Sequence, residues 1–133
     1  MLKDIDFKKV TDVAMAVIPE TIENQTVWNA YLINLGKDHM SSVFVNSRGF
    51  GEIKEKQLKT SQLRQFFEDI PPSSAIKVEE IQEELLSLSN EFWVSFSKES
   101  YLFDKKYVFV PETLTMKNLV KVPIIEKEGV LIM

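Results

Sequence analysis

The sequence predicts a mainly β protein, a β-sandwich of about seven strands with at most one or two short helices; an α+β architecture is the alternative. Three observations predict it. Short apolar runs alternate with polar residues at Trp28–Leu35, Met40–Val45, Ala75–Val78, Phe92–Phe96 and Tyr107–Val110, the period-two signature of strands. Turn residues or prolines stand at most junctions between them. Helical spacing is clear in only one stretch, around residues 63–70.

Val13, Met15 and Val17 alternate with Ala14 and Ala16 and predict a first strand ended by Pro19. The polar stretch Glu20–Gln25 connects it to a strand over Val27–Leu35, with Trp28, Ala30 and Leu32 on one face and Tyr31 and Ile33 on the other. Gly36-Lys37-Asp38 supplies a turn, and the chain returns as Ser42–Val45 with Val43 and Val45 on one face. Gly49 and Gly51 predict a turn or bulge within Asn46–Glu52. Leu63, Phe66, Phe67 and Ile70 fall at helical spacing, with Thr60 or Ser61 as cap, until Pro71-Pro72 stops the helix. Ala75–Glu79 reads as a strand, and Ile81, Leu85 and Leu88 as a helical turn or two. Phe92–Phe96 and Tyr101–Val110 form a hairpin across Lys98-Glu99-Ser100, ended by Pro111. The apolar segment 119–133 is expected to pack back on the body, so residues 1–133 form one domain. A chain of this length buries roughly two-thirds of its unfolded surface.

The order of these cues is similar to that of Ig-like modules: a strand ending Tyr31-Leu-Ile-Asn-Leu35, a glycine turn, a Val43-Phe-Val45 strand, and Ile70-Pro-Pro72 before the Ile76–Val78 strand. Through Trp28–Leu35, Ser47-Arg-Gly-Phe-Gly-Glu52 and Asp104–Pro111 the chain also resembles a family of small uncharacterised bacterial proteins. That resemblance covers most of the chain and implies an Ig-like β-sandwich; its motifs are structural and imply no activity. Members are sometimes labelled as a phenylalanyl-tRNA synthetase subunit. The chain is far too short for a class II catalytic domain and carries no arginine-centred ATP motif, so nothing in it supports that label.

Composition narrows the chemistry. A net charge of −4 with 27% charged residues argues against a role on phosphate backbones, which calls for a basic field. The absence of cysteine removes disulfides, thiolate nucleophiles and thiolate metal sites. Met1–Val10 mixes lysines and aspartates with apolar residues, unlike a signal peptide, and Val13–Ile18 is far too short to span a bilayer. The expectation is a cytoplasmic protein without a membrane or nucleic-acid partner.

His39, the one imidazole, lies beside Asp38 and Ser41 in a predicted turn. A triad needs its members on separate supports, so His39 is expected to be a solvated turn residue. No catalytic residue, metal ligand or cofactor is assigned. Ser47–Glu52 offers two readings. One is a pocket in which Arg48 holds an anion and Glu52 or His39 does acid–base work, as in a small ligand-binding protein or enzyme. The other is a strand bulge with Phe50 in the core and Arg48 paired to a surface acid.

Strand parity gives the strongest functional expectation. If Val43/Val45 and Phe92/Val94/Phe96 face the core, Phe44 and Trp93 point outward. Val108 and Val110 of the neighbouring strand join them, or Tyr107 and Phe109 if the parity is reversed. The expected function is a non-enzymatic intracellular protein-interaction module binding another protein, or itself as a homodimer, through that apolar face. Two further possibilities stay open: the 119–133 tail covers the same face within one chain, or tails exchange between two subunits.

Overall fold

The computed structural model describes residues 9–133; most of the N-terminal stretch weighed above as a leader lies outside them. Ten strands form two antiparallel five-stranded sheets in a sandwich-like arrangement, with no α-helix among the described residues. The first sheet has the order β6-β2-β1-β10-β9, from Ser74–Ile81, Gln25–Asn34, Val13–Ile22, Glu128–Ile132 and Val120–Lys121. The second runs β4-β3-β7-β8, from Lys56–Lys59, Met40–Ile53, Ser89–Lys98 and Tyr101–Phe109, with β5 (Leu63–Ile70) also paired to β3. Two 3₁₀ turns, Glu83–Leu85 and Met116–Asn118, lie on connections between the sheets.

The core lies between the sheets because each strand sends its alternate apolar side chains there. Met15, Val17, Trp28, Ala30 and Leu32 meet Val43, Val45, Phe92, Val94, Tyr107 and Phe109. Phe92 and Phe109 pack edge-on with centroids 5.9 Å apart, and Phe96 stacks on Phe103 at 5.0 Å. The buried Tyr107 hydroxyl donates to the Val13 carbonyl at 3.1 Å and so joins the two sheets.

Three sequence expectations are corrected, and the place of the tail is decided. Pro19 does not end β1, which continues to Ile22 paired with β2. The β10 ladder on β1 extends only over residues 15–17, so a missing amide at Pro19 is tolerated. The chain reverses at Glu23-Asn24, both in the left-handed region (φ 49° and 66°), as a two-residue hairpin requires. Residues 46–52 are neither turn nor bulge: β3 runs straight through them. Its glycines serve close approach instead, since a Cβ on Gly51 (φ 155°) would stand 3.1 Å from Leu88 Cδ2. The one bulge of β3 is at Ser42 (φ 50°), where its register with β7 shifts.

Residues 63–70 form a strand, not a helix. Their apolar spacing mimics a helix because Phe66 and Phe67 point to opposite faces of a sheet. The open edge of β3 then captures the segment from Met40↔Ile70 to Ser47↔Leu63, and pairing overrides local pattern. Finally, the tail joins the first sheet rather than covering Phe44 and Trp93. β10 pairs with β1, and Val122 and Ile125 close over Ala14, Ala16, Ile18 and Ile33 on the outer face of that sheet. The small side chains of Ala14 and Ala16 give the tail room to approach.

Candidate functional site

The outer face of the second sheet carries the candidate site. The Ser42 bulge sets the parity of β3, so Val43 and Val45 are buried while Phe44 is 49% exposed. Trp93 on β7 is 43% exposed between the buried Phe92 and Val94. β5 adds Phe66, 54% exposed and directly opposite Phe44 in the ladder, with ring centroids 4.8 Å apart. Phe66 was hidden by the helical reading. Its signal was the alternation of Leu63, Gln65 and Phe67 with Arg64, Phe66 and Glu68.

Polar groups fix the face in place. The Trp93 indole donates to Asp104, which also accepts from the Ser95 hydroxyl at 2.9 Å. Lys106 Nζ lies 4.7 Å from the Trp93 ring centroid and 3.8 Å from the buried Glu91 carboxylate. Arg48 Nε donates to Glu91 at 2.9 Å, and the Arg48 guanidinium lies 5.1 Å from the Phe50 centroid. Trp93 and Phe50 thus each bear a cation, which leaves the Phe44–Phe66 pair as the apolar centre. Val108 is half-buried beside Glu91, diagonal to Trp93. Val110 is 51% exposed at the far end of β8, away from the aromatic pair.

The pocket expected at residues 46–52 takes a different form. Arg48 borders two small cavities of about 160 and 260 Å³. Neither is lined by Glu52, which is exposed on β3 opposite Gln57. Two acids of β6, Glu79 and Glu80, line the larger cavity, and Glu79 is the one turned inward, where the register of β6 with β2 slips. Burial pushes its carboxyl pKa up, and the Ser47 hydroxyl bond only partly offsets this. Phe50 is half-buried on the outer face, not in the core. His39 is exposed and pairs with Asp69 at 2.9 Å, not with Asp38 or Ser41.

A wider groove of about 610 Å³ lies at the start of β2, lined by Trp28, Glu80, Glu83, Glu84 and Leu86 among others. Among the described residues no group of three or more histidines, aspartates or glutamates is placed to hold a metal ion. No protein-family model matches the chain, and no curated protein matches it.

Proposed function

We propose that the chain is a non-enzymatic protein-interaction module that binds a protein, or a second copy of itself, through the outer face of its second sheet. The observation that carries the reading is the Phe44–Phe66 pair, in contact at 4.8 Å and about half exposed on the outer face. The outer face of the first sheet, by contrast, is sealed by the chain's own tail. Exposed aromatics on a rigid sheet lose little entropy on binding and return roughly 25 cal/mol per Å² of apolar area buried. Trp93, oriented by Asp104 and Lys106, extends the face towards Val108 and Val110. An Ig-like body fits this reading: β3 lies between the β4/β5 strands and β7, β7 lies beside β8, and β6 lies beside β2 in the other sheet.

The test compares the wild type with Phe44→Glu and Trp93→Asp. Sedimentation measures self-association, and affinity capture followed by reconstitution with the purified partner measures the heterologous contact. Loss of the complex in both folded variants supports the reading, and an unchanged complex removes it. A second reading, a small-ligand site beside Arg48 with Glu79 as its acid, is favoured by the buried Glu79 carboxyl. It is weakened by size, since ligand pockets commonly exceed about 300 Å³. Fragment-induced NMR shifts clustered at Ser47, Arg48 and Glu79 would support it.

A further inference from the structure

We propose that the groove between β5 and Trp93 recognises an acidic, extended segment of a partner protein, one with a carboxylate and an apolar side chain two residues apart. The inference rests on the contact-face reading and specifies the chemistry of the partner.

Both arginines of the chain line one cavity of about 160 Å³, together with Asn46, Gln62, Glu91 and Trp93. Their states differ. Arg48 is occupied by Glu91 through Nε at 2.9 Å and a second nitrogen at 3.5 Å. Arg64 is exposed and makes no ion pair, side-chain hydrogen bond or ring contact among the described residues. A chain with 20 acidic residues thus leaves a planar five-donor fork idle beside a tryptophan. That fork matches a carboxylate in two-point geometry.

A second cavity of about 410 Å³ shares Asn46 and Arg64 with the first and is walled by Phe44, Phe66 and Ser95. The floor residue Asn46 keeps a carboxamide oxygen without a partner. Arg64 and Phe66 are i and i+2 on one strand, so their side chains leave the same face roughly 7 Å apart. An extended segment laid in this groove runs over β3, between β5 and β7. Such a segment presents alternate side chains to the sheet: one carboxylate to Arg64, and one apolar group two residues on to Phe66 and Phe44. Glu68, Glu91 and Asp104 around the groove oppose a polyphosphate or a run of acids, so the segment carries a single carboxylate, at Arg64.

The test titrates the full chain with a capped heptapeptide carrying Glu and Phe two residues apart in a threonine-rich background. Its Glu→Gln counterpart and an eight-residue oligothymidylate serve as comparators. The readouts are Trp93 fluorescence and the Arg64 side-chain Nε–H resonance. The acidic peptide is expected to shift the Arg64 resonance and to bind at least tenfold more tightly than the amide peptide. Arg64→Gln should erase that difference, and Arg64→Lys should lose several-fold by removing the fork while keeping the charge. Equal binding of the acidic and amide peptides overturns carboxylate recognition but leaves the apolar contact face standing. Tighter binding of the oligonucleotide, or no binding by either peptide, overturns the proposal, and the Phe44→Glu comparison then judges the face by itself.

Discussion

Ser47 on β3 donates its hydroxyl to the Glu79 carboxyl on β6, joining the two sheets at the mouth of the sandwich. Burial raises the Glu79 pKa, and the Ser47 bond offsets only part of that rise. The folded chain therefore holds this proton more tightly than the unfolded chain does. Its contribution to stability is full below the ordinary carboxylate range and falls as pH climbs through the raised folded value. Glu79→Gln keeps an acceptor for Ser47 without the charge. We expect it to gain about 0.5–1 kcal/mol at pH 7.5, after screening by nearby solvent, and nothing at pH 4. Urea unfolding at the two pH values measures the difference, and equal gains at both would contradict the assignment.

Glu20 behaves in the opposite sense. Burial alone would raise its pKa, but hydrogen bonds from Lys127, Tyr31 and Asn29, together with the attraction of Lys127, hold it at about 2. Its carboxylate in turn, after burial, helps push the Tyr31 hydroxyl up to about 12. A depressed carboxylate stabilises above its unfolded value of about 4.5 and loses that stabilisation as pH falls towards 2. Because Lys127 belongs to the tail, Glu20→Gln should cost about 1 kcal/mol at pH 7, after screening by solvent, and loosen residues 122–128 first. Hydrogen exchange there at pH 7, beside unfolding at pH 2 where most of the penalty is lost, checks it.

The β3–β4 hairpin turns at Lys54-Glu55, both in the left-handed region at φ 52° and 65°. Neither residue is suited to that backbone, which costs L-residues other than glycine and asparagine roughly 1 kcal/mol each. The pair Lys54→Asn and Glu55→Gly is expected to stabilise the fold by about 1 kcal/mol, read as a rise in Tm. A fall in Tm would mean that the two side chains make contacts worth more than the strain.

Which parts of the molecule the sequence discloses follows from how local their causes are. Alternation in Phe92–Phe96 reflects burial on one face, a property of that strand alone, so that face is readable in isolation. The identity of β5 depends on β3 being there to pair with it, and Phe66 becomes visible only once Phe44 stands opposite. Glycine misleads at Gly49 and Gly51, because a close approach, to Thr60 and to Leu88 respectively, and a chain reversal call for the same residue. The reversals at Glu23-Asn24 and Glu99-Ser100 contain no glycine and are legible only as polar breaks between apolar runs, whereas the one at Lys54-Glu55 interrupts no such pair of runs. Trp93 and Arg48 are recognisable as candidates from sequence, whereas their partners Asp104 and Glu91 depend on strand register.

Gly129 is the point where the tail meets the body. A Cβ there would stand 2.7 Å from Ile18 Cγ1 and 2.9 Å from the Val17 carbonyl oxygen. The side chain could turn aside, but the carbonyl belongs to the β1 backbone and cannot yield without moving β1 itself. Gly129→Ala should therefore destabilise by about 2–3 kcal/mol, with faster amide exchange at Val130–Ile132 than in β7. Exchange rising equally in both sheets would show that the tail is not a separable unit.

The outer aromatics are exposed, so removing them should barely affect folding. Phe44 and Phe66 touch each other at the surface, while Phe92, one strand away, is buried against Phe109. Truncating Phe92 to alanine empties a packed site and should cost about 3–5 kcal/mol. Phe44→Ala and Phe66→Ala forfeit mainly one ring contact, worth about 0.5–1.5 kcal/mol in total. Their effects should also be less than additive, because either substitution alone removes the shared contact. A double-mutant cycle by urea unfolding measures this. If Phe44→Ala costs as much as Phe92→Ala, the pair is part of the folding core, and an interaction surface is no longer needed to explain why it is there.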